Sequence, residues 1–361
     1  MEAETESNRD ISMCEDMHQD PTRGSCYHEI DITTYITPEL NQKTEALVSA
    51  SVCLDHTDPF DDRTIERVLK NLNPAILEYP NFVPCFGQMP DMSKDCFLIL
   101  ENTYLTVLKC IGEGGYAKIY TVCDHTLSVD ETISLSSADQ VKVIKVQTPP
   151  CQWEFYVSCE LRRRLTNLRS PMNIIPSIME IMQGYFFENG SILLMSHASL
   201  GSLLNLVNTY KDNRTLMAGV EPYACLLTIE LLHMFEQIHK CDFIHGDVKP
   251  DNFLLLGFPH IMEGCTNPEL VFGSRLRLVQ LIDFGQSIDM TMFPRDTTFM
   301  AKVLTSDFQC IEMRTNRPWT FQTDLFGLVG TIHVVLFGTY MKVFQEQGIW
   351  RVTGNFVRYV Y

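Results

Sequence analysis

No two cysteines in this chain are spaced C-x-x-C. The thirteen cysteines are an odd number, and no pair stands closer than Cys151 and Cys159. That spacing argues against a zinc site and suggests no disulfide framework, so the thiols read as reduced and intracellular. A secretory leader is not expected either, because the N-terminal stretch is acidic and polar, the opposite of a signal peptide. The longest apolar run, Leu325 to Phe337, is interrupted by Gly327, Gly330 and His333 and is too short to span a bilayer. The reading is a soluble protein with no membrane contact. Positive charge is scarce too: 28 Lys and Arg stand against 45 Asp and Glu, a formal net charge of -17. A general nucleic-acid binder should present a basic face, so direct nucleic-acid contact is not expected.

The acidic excess is concentrated at one end. Residues 1–62 carry fifteen acidic and three basic side chains, which leaves the remainder only mildly acidic. Residues 1–57 have few aromatics and no sustained periodicity, and read as a disordered acidic tail. From Asp58-Pro59 the pattern changes. Ile65, Val68, Leu69 and Leu72 recur at helical spacing, with Asp61 or Asp62 as cap and Pro74 as stop. Pro80, Pro84 and Pro90 then predict an extended connector.

The most informative stretch is Ile244-His245-Gly246-Asp247-Val248-Lys249-Pro250-Asp251-Asn252, which reads H-x-D-x-K-x-x-N. Phosphoryl transfer needs a positioned nucleophile, bridging metal and positive charge where negative charge accumulates. Asp247, Asn252 and Lys249 are the residue types for those tasks, in the arrangement of a protein-kinase catalytic loop. Upstream, Ile111-Gly112-Glu113-Gly114-Gly115-Tyr116-Ala117-Lys118-Ile119 reads G-x-G-x-x-A-x-I between two strand patterns. Its small residues let the backbone fold over phosphates. Val141 to Val146 predicts a strand whose period of two puts Val143 and Lys145 on one face. There Val143 can cover an adenine while Lys145 reaches phosphates.

A helix over Gln152 to Leu165 carries Val157, Leu161 and Leu165 as its apolar stripe, with Glu154 on the same side, facing Lys145. Glu160 reads as a solvated partner of Arg164. Asn189-Gly190, between Tyr185-Phe186-Phe187 and Ile192 to Met195, predicts a type I′ hairpin. Met195 would stand at the back of a nucleotide pocket, with Ser196 to Ser199 as a hinge. A long helix, Ala224 to Lys240, is expected to turn Leu226, Ile229, Leu232, Phe235 and Ile238 inward. Some twenty polar residues after Leu256 form an insertion before a strand over Leu278 to Ile282. That strand ends at Asp283-Phe284-Gly285, thirty-one residues after Asn252, and Asp283 suits a metal ligand. His245 and Phe284 are expected to pack together, and Asp324 to accept backbone N–H bonds from the catalytic loop.

In this order and spacing the motifs resemble a protein kinase domain over roughly residues 97–345. Further stretches resemble the Bub and Bub-related mitotic checkpoint serine/threonine kinases: Ile144 to Gln147 with Trp153-Glu154-Phe155-Tyr156, His245 to Phe253, Gly285-Gln286-Ser287-Ile288-Asp289-Met290, and Phe337 to Val343. Asp58 to Pro80 resembles the extension that those kinases fold against their N-lobe. The resemblance implies an α+β, bilobal fold: extension 58–96, antiparallel N-lobe 97–195, and a mostly helical C-lobe 196–361 that is incomplete at its end. It implies a checkpoint kinase using ATP and Mg²⁺, acting in the nucleus at kinetochores and chromosomes, with the cytoplasm as an alternative. Its partners would be histone or checkpoint-protein substrates and other kinetochore proteins. Lys145 and Glu154 would hold phosphates, Asp247 would orient the hydroxyl, Lys249 would neutralise charge, and Asn252 and Asp283 would bind metal. Gly246 departs from the arginine of many kinases, so phosphate-driven ordering of the segment Asp283 to Glu312 is not expected. Glu312 would lack its usual late-helix arginine and be exposed, unpaired or joined to Arg314 or Arg317, leaving the chain marginal in stability. Two alternatives are a non-catalytic scaffold and a small-molecule phosphotransferase.

Overall fold

Asp61 caps the first helix, α1 (Asp62–Lys70), its carboxylate accepting the Thr64 N–H at 3.2 Å. The computed structural model describes residues 58–126, 140–168, 170, 173–213, 220–257, 277–303 and 305–353. The acidic tail and the insertion expected after Leu256 fall largely or wholly outside these. Val68 and Leu72 are buried, with Ile65 and Leu69 packed beside them.

The proline-rich connector is not merely a connector. Phe82–Pro84 forms β1, which pairs in parallel with β6 (Ile181–Phe186) and so becomes one edge of a seven-stranded sheet. Pro84 is tolerated there because it ends an edge strand. The other strands are β2 (Phe97–Leu100), β3 (Thr103–Glu113), β4 (Ala117–Asp124), β5 (Val141–Gln147) and β7 (Ser191–Ser196), in the order β1-β6-β7-β5-β4-β3-β2. Every pairing but the first is antiparallel. Strand β5 is central and buried on both faces. Val143 joins the core beneath the sheet and Ile144 and Val146 the core above it.

The β6–β7 hairpin forms, but not through a type I′ turn. Neither Asn189 nor Gly190 lies in the left-handed region that such a turn requires. Instead Phe187 N–H donates to the Gly190 carbonyl at 2.8 Å, and the Asn189 side chain accepts from Met89 N–H at 2.8 Å. Glycine is needed at 190 for space. A Cβ there would sit 2.7 Å from both the Gln147 carbonyl oxygen and Met89 Cε.

Helix α2 (Gln152–Asn167) starts just after Pro149-Pro150 and buries Val157, Leu161 and Leu165 as expected. Past α3 (Leu203–Tyr210), helix α4 (Val220–Lys240) differs in phase from the sequence reading. Leu227, Leu231, Met234, Phe235 and Ile238 face inward, whereas Ile229 and Leu232 are exposed. The helix is apolar on more than one side, so hydropathy alone does not select the buried face. Short strands follow: β8 (Phe243–Ile244), β9 (Phe253–Leu255), β10 (Val279–Leu281) and β11 (Ile288–Asp289). Strand β9 pairs with β10 and β8 with β11, both antiparallel. Helices α5 (Ile311–Arg314) and α6 (Gln322–Phe337) and the hairpin β12 (Val343–Glu346) to β13 (Ile349–Val352) complete the described chain. The N-terminal segment spans further than an N-lobe contact alone. Phe60 stacks on Trp319 at 6.2 Å, while Phe82 stacks on Phe186 at 4.3 Å and meets Phe155 of α2 edge-on at 5.5 Å.

Candidate active site

Strand register brings the first group together. Gly112 of β3 lies opposite Ile119 of β4, Ile119 opposite Lys145 of β5, and Lys145 opposite Leu193 of β7. Val143 lies opposite Met195 in the same sheet. The glycine turn thus stands in line with Lys145 across adjacent strands. Around Gly114 and Gly115 a Cβ would meet no tight contact, and Tyr116 and Ile111 are exposed on that turn.

Lys145 Nζ donates to both oxygens of Glu154, at 2.8 and 2.7 Å, and to Asp283 Oδ1 at 2.8 Å. Gln147, two residues along β5 and so on the same face, donates its Nε2 to Glu154 Oε2 at 3.2 Å. Sequence reasoning passed over Gln147, although its period-two relation to Lys145 was the available signal. One ammonium between two carboxylates leaves them unequal. Burial, which opposes charging Lys145, is outweighed by Glu154 and Asp283, so the Lys145 pKa is raised. Burial pushes Glu154 up despite Lys145, whereas for Asp283 the attraction of Lys145 outweighs burial and holds the carboxyl down. Asp283 adopts a left-handed backbone, φ 65°, a conformation that aspartate tolerates better than most residues.

The second group is built on the loop after β8. Asp247 Oδ2 accepts from Lys249 Nζ at 2.6 Å and from Asn252 Nδ2 at 3.0 Å. Asn252 also ties the Asp247 carbonyl at 2.8 Å. Thr305, unnoticed in the sequence, donates its hydroxyl to Asp247 Oδ1 at 3.1 Å. The two groups adjoin, since the N–H of Ile282, one residue before Asp283, donates to the Asn252 carbonyl at 3.0 Å, and the Ile282 carbonyl meets His245 Nε2 at 3.0 Å. Beneath them Asp324 of α6 is fully buried and accepts from His245 N–H and Gly246 N–H, each at 2.8 Å. The sequence reading anticipated this contact. His239 adds a third bond to Asp324 at 2.9 Å. His245 packs edge-on against Phe284 at 5.3 Å, as anticipated.

Gly246 has φ +80°, and a Cβ at that position would overlap the carbonyl oxygen of Gln286. Any side chain there therefore meets both a left-handed backbone and the short turn Phe284–Gln286. Glu160 departs from expectation: it does pair with Arg164, at 2.8 Å, but it is buried, with Arg163 closing on its other oxygen at 2.6 Å. Burial alone would raise its pKa, but the two arginines hold it down. Glu312 lies near Arg317, at 4.0 Å, rather than Arg314.

A scan against protein-family profiles gives no match. Individual proteins do match. The chain is 36% identical over 303 residues to the mitotic checkpoint serine/threonine-protein kinase BUB1 of Mus musculus, covering 83% of this chain and 27% of that protein. It is 34% identical over 250 residues to the spindle assembly checkpoint serine/threonine-protein kinase bub1 of Schizosaccharomyces pombe, covering 67% of this chain and 24% of that one. The chain thus spans about a quarter of the length of these two curated relatives. Among solved structures, a BubR1 kinase domain superposes with a TM-score of 0.69 at 31% identity, over 84% of each chain. Its two-lobed kinase fold agrees with the seven-stranded sheet and helical region described above. With that structural match over most of both chains, the protein belongs to the Bub family of mitotic checkpoint serine/threonine kinases.

Proposed function

We propose that this chain is a protein serine/threonine kinase domain that transfers the γ-phosphate of ATP to protein hydroxyls in spindle-checkpoint signalling at kinetochores. Histones and checkpoint proteins are the proposed substrates. The observation that carries the reading is the Lys145–Glu154–Asp283 cluster adjoining the Asp247–Lys249–Asn252–Thr305 group. The family names support the reaction class.

The donor set suits Mg²⁺ carried with a nucleotide. Among the described residues no cluster of three or more His, Cys, Asp or Glu side chains could hold a metal by itself. Mg²⁺ is commonly held by one or two carboxylates together with substrate phosphates. Asp283 supplies a carboxylate, and Asn252, whose Nδ2 is engaged with Asp247, keeps its side-chain oxygen for a hard cation. When bound, Mg²⁺ would supply positive charge to offset that of the phosphates, with Asp283 and Asn252 as the residues that would hold it. Lys145, held by Glu154 in a desolvated position, presents a permanent positive charge to the phosphates. Val143 and Met195 line the adenine side, and the loop Ile111 to Ile119 covers the phosphates. Asp247 orients the acceptor hydroxyl and takes its proton, while Lys249 offsets the developing negative charge. Asn252 and Thr305 fix the Asp247 carboxylate from two sides.

The test compares Lys145→Met and Asp247→Asn. Each should reduce phosphotransfer by roughly 10²–10⁴-fold. Nucleotide affinity should fall in Lys145→Met and stay nearly intact in Asp247→Asn. Undiminished turnover in Asp247→Asn would overturn the assignment. Nucleotide binding without turnover in the unaltered chain would instead mark a scaffold.

A further inference from the structure

A second charged network lies behind the Lys145 cluster, and no step above uses it. Trp153, Tyr156, Glu160 and Arg164 fall at i, i+3, i+7 and i+11, so they line one face of α2. That face meets the segment that follows Phe284. Trp153 Nε1 donates to the Ser287 carbonyl at 2.8 Å, and the Tyr156 hydroxyl donates to Asp289 Oδ2 at 2.7 Å. Arg164 grips both Asp289 oxygens, at 2.9 and 2.7 Å. Asp289 is 0% exposed and also accepts from the Thr291 N–H and hydroxyl.

Arg164 reaches further. It donates to the Cys241 carbonyl at 2.9 Å, and its guanidinium lies 4.6 Å from the centre of the Phe243 ring. Phe243 pairs with Asp289 in the β8–β11 ladder, and β8 runs directly into His245 and Asp247. One arginine therefore joins α2, the turn that enters the catalytic loop, and the segment after Asp283. In many kinases a phosphate on that segment, read by arginines, sets the helix carrying the lysine's glutamate partner. Here Gly246 can present no such arginine, and Asp289 is a permanent carboxylate already in a bidentate grip.

We propose that Arg164 and Asp289, assisted by Tyr156, form a phosphate-independent latch that holds α2 so that Glu154 engages Lys145. They are positioning residues, and the proposal rests on the kinase reading only where activity is the readout. Removing one partner strands a buried charge at the last turn of α2, so the helix should loosen along the face that runs from Arg164 back through Tyr156 towards Glu154.

The test compares the unaltered chain with Asp289→Asn, Arg164→Lys and Tyr156→Phe, using hydrogen exchange and phosphotransfer to core histones. Asp289→Asn and Arg164→Lys should speed amide exchange in residues 156–167 at least tenfold and leave β3 to β5 unchanged. Their kcat should fall at least tenfold, with KM for histone within twofold of the unaltered chain. Tyr156→Phe, which loses one hydroxyl, should show about threefold effects. Phosphatase treatment of the unaltered chain should leave kcat within twofold. Exchange and kcat within twofold in Asp289→Asn would overturn the latch, as would a tenfold loss on phosphatase treatment. If Asp289→Asn does not fold, Arg164→Lys and Tyr156→Phe decide by the same criteria. No transfer by the unaltered chain would count against the kinase reading alone, and the exchange rates would still decide the latch.

Discussion

At Gly246 the loss of a side chain and the geometry of the backbone are one fact. The residue sits at φ +80°, with the Gln286 carbonyl where a Cβ would be. Restoring an arginine here is therefore not a simple gain of charge. Gly246→Arg should destabilise the chain by about 1–2 kcal/mol for the left-handed backbone alone, with the overlap adding to that. It should also leave the chain as indifferent to phosphatase as before. Thermal unfolding and activity before and after phosphatase treatment check this. A variant of unchanged stability with phosphate-dependent activity would show that the backbone relaxes to admit the side chain.

Among the elements, α6 matters to the site chiefly through its first turn. Asp324 holds the His245 and Gly246 N–H groups where no other described acceptor reaches them, and it also binds His239. Asp324→Ala would leave two buried donors unsatisfied, at roughly 1–3 kcal/mol each. The expected result is a fall of about 2–6 kcal/mol in unfolding free energy, with phosphotransfer lost even at temperatures where the chain is folded, because Asp247 follows directly. Denaturant unfolding beside turnover measures both. Retained activity with lost stability would show that Lys249, Asn252 and Thr305 suffice to fix Asp247. The α4 helix teaches a different lesson at this scale. Its apolar residues outnumber the buried positions, so only packing against α6 and the catalytic loop reveals that Leu227 and Leu231 are inside while Ile229 and Leu232 are not.

For the whole molecule, binding and folding are linked. A ligand at about 100 times its Kd adds roughly 2.7 kcal/mol to stability. For a folded region of this size that is about 5–10 °C in Tm. Mg²⁺ with ATP should raise the Tm of the unaltered chain and of Asp247→Asn alike, and raise that of Lys145→Met much less. Removing the metal with EDTA should abolish most of the shift. Equal shifts in all three chains would detach Lys145 from the phosphates. The family and the two-lobed fold were legible in the sequence because phosphoryl transfer demands particular residue types at short, fixed spacings. Gly112 to Ile119, Lys145, Asp247 to Asn252 and Asp283 each announce themselves locally. Glu154 was legible too, since a helix repeats every 3.6 residues and brings a polar side chain predictably to one face, and so was Asp324, as a carboxylate opening an otherwise apolar helix. The Asp289–Arg164–Tyr156 network, the Thr305 hydroxyl on Asp247, the burial of Glu160 and the β1 strand beside β6 were decided only by tertiary structure. Each joins residues from 58 to more than 100 positions apart or depends on which face of an element is covered. Charge and hydropathy do not encode such a pairing until the chain has folded.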